Sequence, residues 1–265
     1  MADQHLESSP GALFQSQRQR EIVGLTVQER RVEVAGLADR FGVTTETIRR
    51  DLSDLQAQHL LRRVHGGAVP WETTGFEPLL SVRNDQQDTE KRQLAARAID
   101  ELPTSGTVMI DSGSTLTRFA EVIGESPRLR FVTNSLLIAQ VLADCDPIEV
   151  VVIGGKLRKN TLAMVDSDAV AMVEGLAVDT LFISSDGASP ETGLTTPYRE
   201  EAALKRAMIR SARRVVALVD HSKFGPDHLA RFARWSDVDV LVTNQELAAS
   251  TIDQIEALGT NVLTA

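Results

Sequence analysis

Apolar positions recur at helical spacing in the first quarter of the chain and in short extended runs over the rest, and that change of period divides it. Residues 15–29 carry a helical pattern. Residues 31–34 (RVEV) read as a short extended piece, 35–40 as a second helix, Gly42 as a turn and 45–58 as a third helix. In the third, Ile48, Leu52 and Leu55 stand at i, i+4 and i+7, one apolar stripe for packing against the other two. Glu46, Arg49, Arg50 and Ser53 then point away from the stripe. Thr44 is placed to cap this helix by accepting a backbone N–H of its first turn. Residues 61–69 (LRRVHGGAV), followed by Pro70, suit a small hairpin. Residues 1–13 are polar and aperiodic, a disordered tail, and 71–88 mix proline, glycine and polar residues as a linker would.

From residue 89 onward β-branched runs appear at 107–110, 130–134, 148–154, 179–185, 214–220 and 239–244, with helical stretches such as EKRQLAARAIDEL and REEAALKRAMIRSARR between them. Strands alternating with helices predict an open α/β domain over 89–265, built on a mostly parallel sheet covered on both faces. Five of the runs end in polar and glycine residues: Asp111-Ser112-Gly113-Ser114-Thr115, Thr133-Asn134-Ser135, Gly154-Gly155-Lys156, Ser185-Asp186-Gly187 and Asp220-His221-Ser222-Lys223. Ligands bind beyond the carboxyl ends of such strands, so these loops are expected to converge on one crevice.

Charge sharpens the division. The 265 residues carry a net charge of −9, which by itself argues against nucleic acid. Residues 14–70, however, hold nine arginines and no lysine against seven acids, so the acidity belongs to the rest of the chain. With 42% hydrophobic residues there is ample material for buried cores. No apolar run reaches the roughly 18 residues of a membrane span, and no basic-then-apolar leader opens the chain, so a cytoplasmic protein without a membrane partner is expected. The single cysteine, Cys145, has no disulfide mate and stands beside Asp144 and Asp146, which disfavour a thiolate. The histidines are isolated, so neither a metal nor another cofactor is called for.

The candidate chemistry is of two kinds. On the third helix, Thr44, Thr45, Glu46, Thr47, Arg49, Arg50 and Ser53 form a face that can enter a major groove of double-stranded DNA, where arginine reads guanine edges. Arg62, Arg63 and His65 on the hairpin would lie as a wing against the flanking backbone. The plainer reading is a solvated helix with Arg50 paired to Asp54 at i, i+4. In the second domain, Ser112 to Thr115 run from a strand into a helix expected to begin near Leu116, so backbone N–H groups and two hydroxyls meet at a positive helix end, a ready anion site. Gly154, Gly155 and Lys156 offer close backbone approach and a cation, and Lys223 a point charge for phosphate. Asp111, Asn134 and Asp186 suit sugar hydroxyls, and Ser135 and Gly187 beside them are further candidates for the effector site. Each loop taken alone is also ordinary turn chemistry.

The motifs themselves add a resemblance. L-A-D-R-F-G-V (37–43), T-T-E-T-I-R-R-D-L (44–52) and L-R-R-V-H-G-G-A (61–68) resemble the helix-turn-helix of the DeoR family of bacterial repressors. Downstream, F-E-P-L-L-S-V-R, D-S-G-S-T, T-N-S, G-G-K-L-R, G-L-T-T, E-A-A-L-K-R-A-M and D-H-S-K-F-G follow in the order of that family's effector domain, and the resemblance covers roughly 18–245. It implies an N-terminal winged helix-turn-helix and a C-terminal α/β domain similar in fold to ribose-5-phosphate isomerase, with a phosphorylated sugar as ligand. It also implies that Glu201 and Lys205, which spacing alone would read as a modest surface ion pair, lie at the effector pocket.

Several positions depart from the family pattern. Thr26 replaces a usual leucine and, with Gly24, weakens the first helix. Arg30 and His59 stand at usual glycines, Asp166-Ser167 at a usual Gly-Pro, and Ser184 at a glycine. The leading expectation is a DNA-binding repressor of a sugar-metabolism operon, homodimeric or larger, whose operator affinity is controlled by a phosphorylated sugar. The alternatives are a sugar-phosphate isomerase using Asp186 or Glu201 as base with Lys205 as stabiliser, and a winged helix that serves only protein contacts.

Overall fold

The computed structural model describes residues 15–29, 31–57, 60–70, 87–124, 129–145, 147–225 and 227–265; the expected tail, most of the expected linker, Arg30 and His59 lie outside the described residues. The chain divides into two compact units, Met1–Pro78 and Leu79–Ala265.

In the first unit, α1 (Gln15–Glu29), β1 (Val32–Glu33), α2 (Val34–Phe41), α3 (Thr45–Ala57), β2 (Leu61–Val64) and β3 (Gly67–Pro70) follow in order, and the strands form an antiparallel sheet β1-β3-β2. Ile48, Leu52 and Leu55 are buried, as their spacing requires, with Leu37 and Phe41 of α2 and Ile22 and Val23 of α1. Gly42 ends α2 in the left-handed conformation (φ 62°), which lets its N–H reach the Asp39 carbonyl. Thr44 Oγ1 then accepts the Thr47 N–H at 3.2 Å and starts α3. Gly66 turns the hairpin at φ 79°. Gly67 is required for a different reason: a Cβ there would sit 1.9 Å from the Val32 carbonyl oxygen, so only glycine lets β3 pair with β1. Gly24 and Thr26 do not leave α1 unpacked, contrary to the reading from their types. Thr26 is buried and its hydroxyl donates to the Ile22 carbonyl at 2.6 Å, which removes the cost of a polar group in the core.

The second unit is a seven-stranded parallel sheet. Its strands are β4 (Gly106–Ile110), β5 (Leu129–Thr133), β6 (Glu149–Val152), β9 (Val178–Ile183), β12 (Ala212–Leu218), β14 (Val240–Thr243) and β15 (Asn261–Thr264), in the order β15-β14-β12-β9-β4-β5-β6. Side chains alternate between two cores. Met109, Leu181, Ala217 and Leu241 pack with α7 (Ser167–Glu174), α8 (Arg199–Ser211) and α9 (Ala249–Ala257). Val108, Ile110, Phe182 and Val216 pack with α4 (Asp88–Ala98), α5 (Ser114–Val122) and α6 (Leu136–Ala143). All six strands read from the sequence are present, and β15 is a seventh. Two smaller elements lie outside the main sheet: the hairpin of β7 (Leu157–Arg158) and β8 (Ala163–Met164), and an antiparallel sheet of β10 (Gly187–Ser189), β11 (Gly193–Thr196) and β13 (Ala230–Ala233). The strand order reverses between β4 and β9, which places the crevice at their carboxyl ends.

Candidate functional site

Of the expected DNA-facing residues at and after the start of α3, Thr44, Thr45, Glu46, Arg49 and Arg50 are exposed and Thr47 and Ser53 half-buried. Arg49 lies 3.4 Å from Glu46, and both side chains are largely exposed, so that contact is weak and easily exchanged for another. The expected Arg50–Asp54 pair does not form. Asp54 instead accepts from Gln15 and Gln19 of α1, and Arg50 has no carboxylate partner among the described residues. Arg62, Arg63 and His65 are exposed on the wing. The Arg63 guanidinium donates to Ser53 Oγ at 2.7 Å and its N–H to Gln56 Oε1 at 2.8 Å, which holds the wing to the carboxyl half of α3. Sequence reasoning missed Asp51. It is buried on α3 and accepts from Arg18 of α1 at 2.6 Å and from Gln19 at 3.2 Å. The partners lie 33 residues apart, beyond any local spacing rule.

In the second unit the Asp111 N–H donates to the Phe182 carbonyl at 3.0 Å, joining the strand ends on either side of the reversal. Gly113 holds φ 124°, a conformation that side chains rarely adopt, and a Cβ there would meet nothing; the demand for glycine is conformational. Helix α5 begins at Ser114, two residues before the expected Leu116. Ser114 and Thr115 are therefore its first two residues, and their N–H groups are among the four that a helix start leaves without an intrahelical partner.

Next to this turn lies a buried charge cluster. Lys205 Nζ contacts Asp111, lies 3.0 Å from the Ser184 carbonyl and 3.5 Å from Glu201, and stands 5.1 Å from the centre of the Phe232 ring. Glu201 also takes Arg158 at 2.7 Å, and the Arg158 guanidinium lies 3.5 Å over the Tyr198 ring. The Lys205 and Glu201 side chains are only 3% and 10% exposed, so this is not the surface pair that i, i+4 spacing usually makes. Burial would depress the Lys205 ammonium, but the charges of Asp111 and Glu201 more than reverse this and hold its pKa above that of an ordinary lysine. Burial pushes the Glu201 carboxyl up, and the charges of Lys205 and Arg158 offset only part of it, because Asp111 and Asp186 add repulsion. The lysine therefore keeps its charge, and the Glu201 carboxyl holds a proton more readily than an ordinary glutamate.

This fixes the sign of a pH effect. The Glu201 pKa is higher in the folded protein than the ordinary 4.5, so its contribution to stability is fully present below 4.5 and is lost as pH rises through the folded value. In urea unfolding between pH 4 and 8, the stability of the native protein minus that of Glu201→Gln is expected to fall as pH rises. A difference that is flat or rises with pH would overturn the assignment.

The remaining loops differ in what they can offer. Asn134 is buried, with its Nδ2 donating to the Met164 carbonyl at 3.1 Å. Ser135 caps α6 by accepting the Ile138 N–H at 3.4 Å, so its hydroxyl has a structural task. Gly154, Gly155 and Lys156 are exposed. The Lys156 N–H donates to Asp166 Oδ2 at 3.0 Å, and Asp166 also caps α7 through the Ala169 N–H at 2.9 Å. The hydrogen bond from Ala169, with that from Lys156, holds the Asp166 carboxyl below its ordinary range. The departure at Asp166 thus has a physical role: the carboxylate occupies a backbone donor of the Gly-Gly-Lys loop. Asp186 accepts from Thr196 at 2.9 Å, next to Gly187, the first residue of β10. Lys223 is half-buried at the end of the turn His221–Lys223. The residues of the charge cluster that sequence reasoning passed over are Arg158 and Tyr198, although Arg158 lies within the quoted G-G-K-L-R.

Residues 18–74 match the DeoR-like helix-turn-helix domain, and residues 86–245 match the DeoR C terminal sensor domain. The chain belongs to the DeoR family. It is 35% identical over 251 residues to the HTH-type transcriptional regulator GlpR of Haloferax volcanii, covering 95% of this chain and 98% of that protein. It is 30% identical over 230 residues to the glycerol-3-phosphate regulon repressor of Escherichia coli, covering 87% of this chain and 91% of that protein. Among solved structures, ribose 5-phosphate isomerase A of Neisseria gonorrhoeae matches with a TM-score of 0.40 and 20% identity over 53% of this chain and 55% of that one. As a DeoR-family protein the chain is a transcriptional regulator and not an isomerase. No helix among the described residues is long and apolar enough to cross a membrane.

Proposed function

We propose that this DeoR-family protein is a cytoplasmic repressor of a sugar-metabolism operon, acting as a homodimer or larger assembly, and that a phosphorylated sugar controls its affinity for operator DNA. The observation that carries this reading is the pairing, in one chain, of exposed Arg49 and Arg50 on a helix-turn-helix with a sensor whose helix start and buried Lys205 cluster meet at the strand reversal. The names of the relatives, a glycerol-3-phosphate regulon repressor among them, point to the same ligand class. Two copies are needed because one such reader spans a single half-site.

A ligand changes operator affinity only through different binding free energies for the two states. Two contacts favour the start of α4 as the element it biases. Gln87 precedes α4 at φ 52°, strained for a residue with a side chain, and its Oε1 lies 2.8 Å from the hydroxyl of Ser222, the neighbour of Lys223. Asp88 pairs at 2.6 Å with Arg118 of α5. Gln87 and Asp88, at the end of the linker, thereby contact the turn that holds Lys223 and the helix that begins at Ser114.

In mobility shifts of upstream DNA with a panel of phosphorylated sugars, the native protein is expected to bind and to be released by at least one sugar. Arg49→Ala and Arg50→Ala are each expected to weaken binding about 5- to 150-fold, the loss of one base contact, with unchanged circular dichroism. Lys223→Ala is expected to need at least about tenfold more effector for release, the equivalent of roughly 1.4 kcal/mol. Native operator affinity in both arginine variants would remove α3 as the reader.

A further inference from the structure

We infer that Thr161 and Asn134 form a hydroxyl-recognition subsite for the sugar end of the effector, and that Thr161 is a specificity-determining residue. The inference rests on the proposed phosphorylated-sugar ligand. Among the described residues, four buried side-chain polar atoms lack a hydrogen-bond partner, and two of them, Asn134 Oδ1 and Thr161 Oγ1, belong to segments stitched to one another. Residues 134–136 lie at the carboxyl end of β5, the strand paired with β4, so Asn134 neighbours Asp111 across the sheet. The β7–β8 hairpin is fastened over that end. The Met164 N–H donates to the Asn134 carbonyl at 2.9 Å, the Leu136 N–H to the Leu162 carbonyl at 2.9 Å, and Ser135 bridges Ala163.

Across the hairpin from Ala163 stands Arg158, whose carbonyl accepts the Thr161 N–H at 3.3 Å and whose guanidinium reaches Glu201 of the charge cluster. The Thr161 turn thus spans from the end of β5 to the cluster around Lys205.

The chemistry of the two atoms is complementary to a polyol. The Asn134 amide is oriented by its Nδ2 bond to Met164, which leaves Oδ1 as an acceptor for a ligand O–H. The Thr161 hydroxyl can donate to a ligand oxygen. Thr161 is 5% and Asn134 1% exposed, and native proteins rarely leave such groups unpaired without a reason. Leu162, next to Thr161, holds φ 51°, a conformation costly for a bulky side chain; such outliers cluster at ligand clamps. A site built to bond a hydroxyl rejects the analogue that lacks it much more strongly than an apolar pocket rejects a missing methylene.

Calorimetric titration of the full chain with inorganic phosphate, glucose 6-phosphate, fructose 6-phosphate, fructose 1-phosphate and glycerol 3-phosphate tests this. Thr161→Val keeps the shape and removes the hydroxyl; it is expected to weaken the tightest phosphorylated sugar about ten- to a hundredfold and inorganic phosphate less than about twofold. Thr161→Ser is expected to recover most of the loss. The unmodified protein is expected to bind at least one monodeoxy form of that sugar at least about tenfold more weakly, an arm that stands even if Thr161→Val fails to fold. Equal weakening of sugar and phosphate, or no loss in either arm, overturns the subsite while leaving the effector class intact. Failure of every phosphorylated sugar to bind the unmodified protein overturns the effector reading and the subsite with it.

Discussion

Lys205→Met is expected to lower the stability of the sensor unit by about 3–5 kcal/mol, because it leaves Asp111 and Glu201 as buried carboxylates with their central cation gone. Methionine preserves most of the volume and the contact with Phe232, so the loss reports charge and not a cavity. Arg158 still reaches Glu201, which leaves Asp111 as the more exposed to the change. Asp111→Asn combined with Lys205→Met is therefore expected to recover part of the loss, a coupling that two independent sites would not show. In a thermal melt the single variant is expected to lower the midpoint by about 6–20 °C for a unit of this size. A loss below about 1 kcal/mol, or strict additivity in the double variant, would mean that the cluster is solvated and does not act as a buried unit.

Asp51→Ala is expected to cost the N-terminal unit a similar ~3–5 kcal/mol, because it removes the buried carboxylate to which the Arg18 guanidinium donates at 2.6 Å between α1 and α3. The Arg18 and Asp51 side chains are 9% and 1% exposed, so water does not replace the lost partner. Asp51→Ala and Arg50→Ala are both expected to weaken operator binding, but the cause differs. Asp51→Ala is expected to lose helical circular dichroism from this unit at moderate temperature while the sensor unit keeps its own transition; Arg50→Ala is expected to lose neither. If Asp51→Ala melted like the native protein yet failed to bind DNA, Asp51 would act on the DNA-facing surface and not between the helices.

The helix-turn-helix was legible because its signals are local. The Ile48, Leu52 and Leu55 stripe, the Thr44 cap, the left-handed Gly42 and the His65-Gly66 turn each depend on neighbours within a few positions, where backbone geometry is set by residue type. The β-branched runs of the sensor unit were legible for the same reason, as were the polar loops that end them. The short run Asn261–Thr264 was not, because four residues of modest hydropathy become a strand only when β14 offers an edge to pair with.

What the chain determines by itself is therefore the list of elements and the residue types at their ends, while the tertiary structure decides which of those ends meet and what becomes of their charges. The order β15-β14-β12-β9-β4-β5-β6 places Asp111 at the reversal and brings Lys205, 94 residues away, onto it. Burial then turns an ordinary i, i+4 pair into a charge cluster, since the same Glu201 and Lys205 on an exposed helix would be solvated and weakly coupled. It likewise makes Asp51 the buried partner of Arg18, 33 residues away. Dielectric environment and contacts between distant segments are properties of the packed molecule. Local spacing, which reaches only four residues along a helix, carries no information about either.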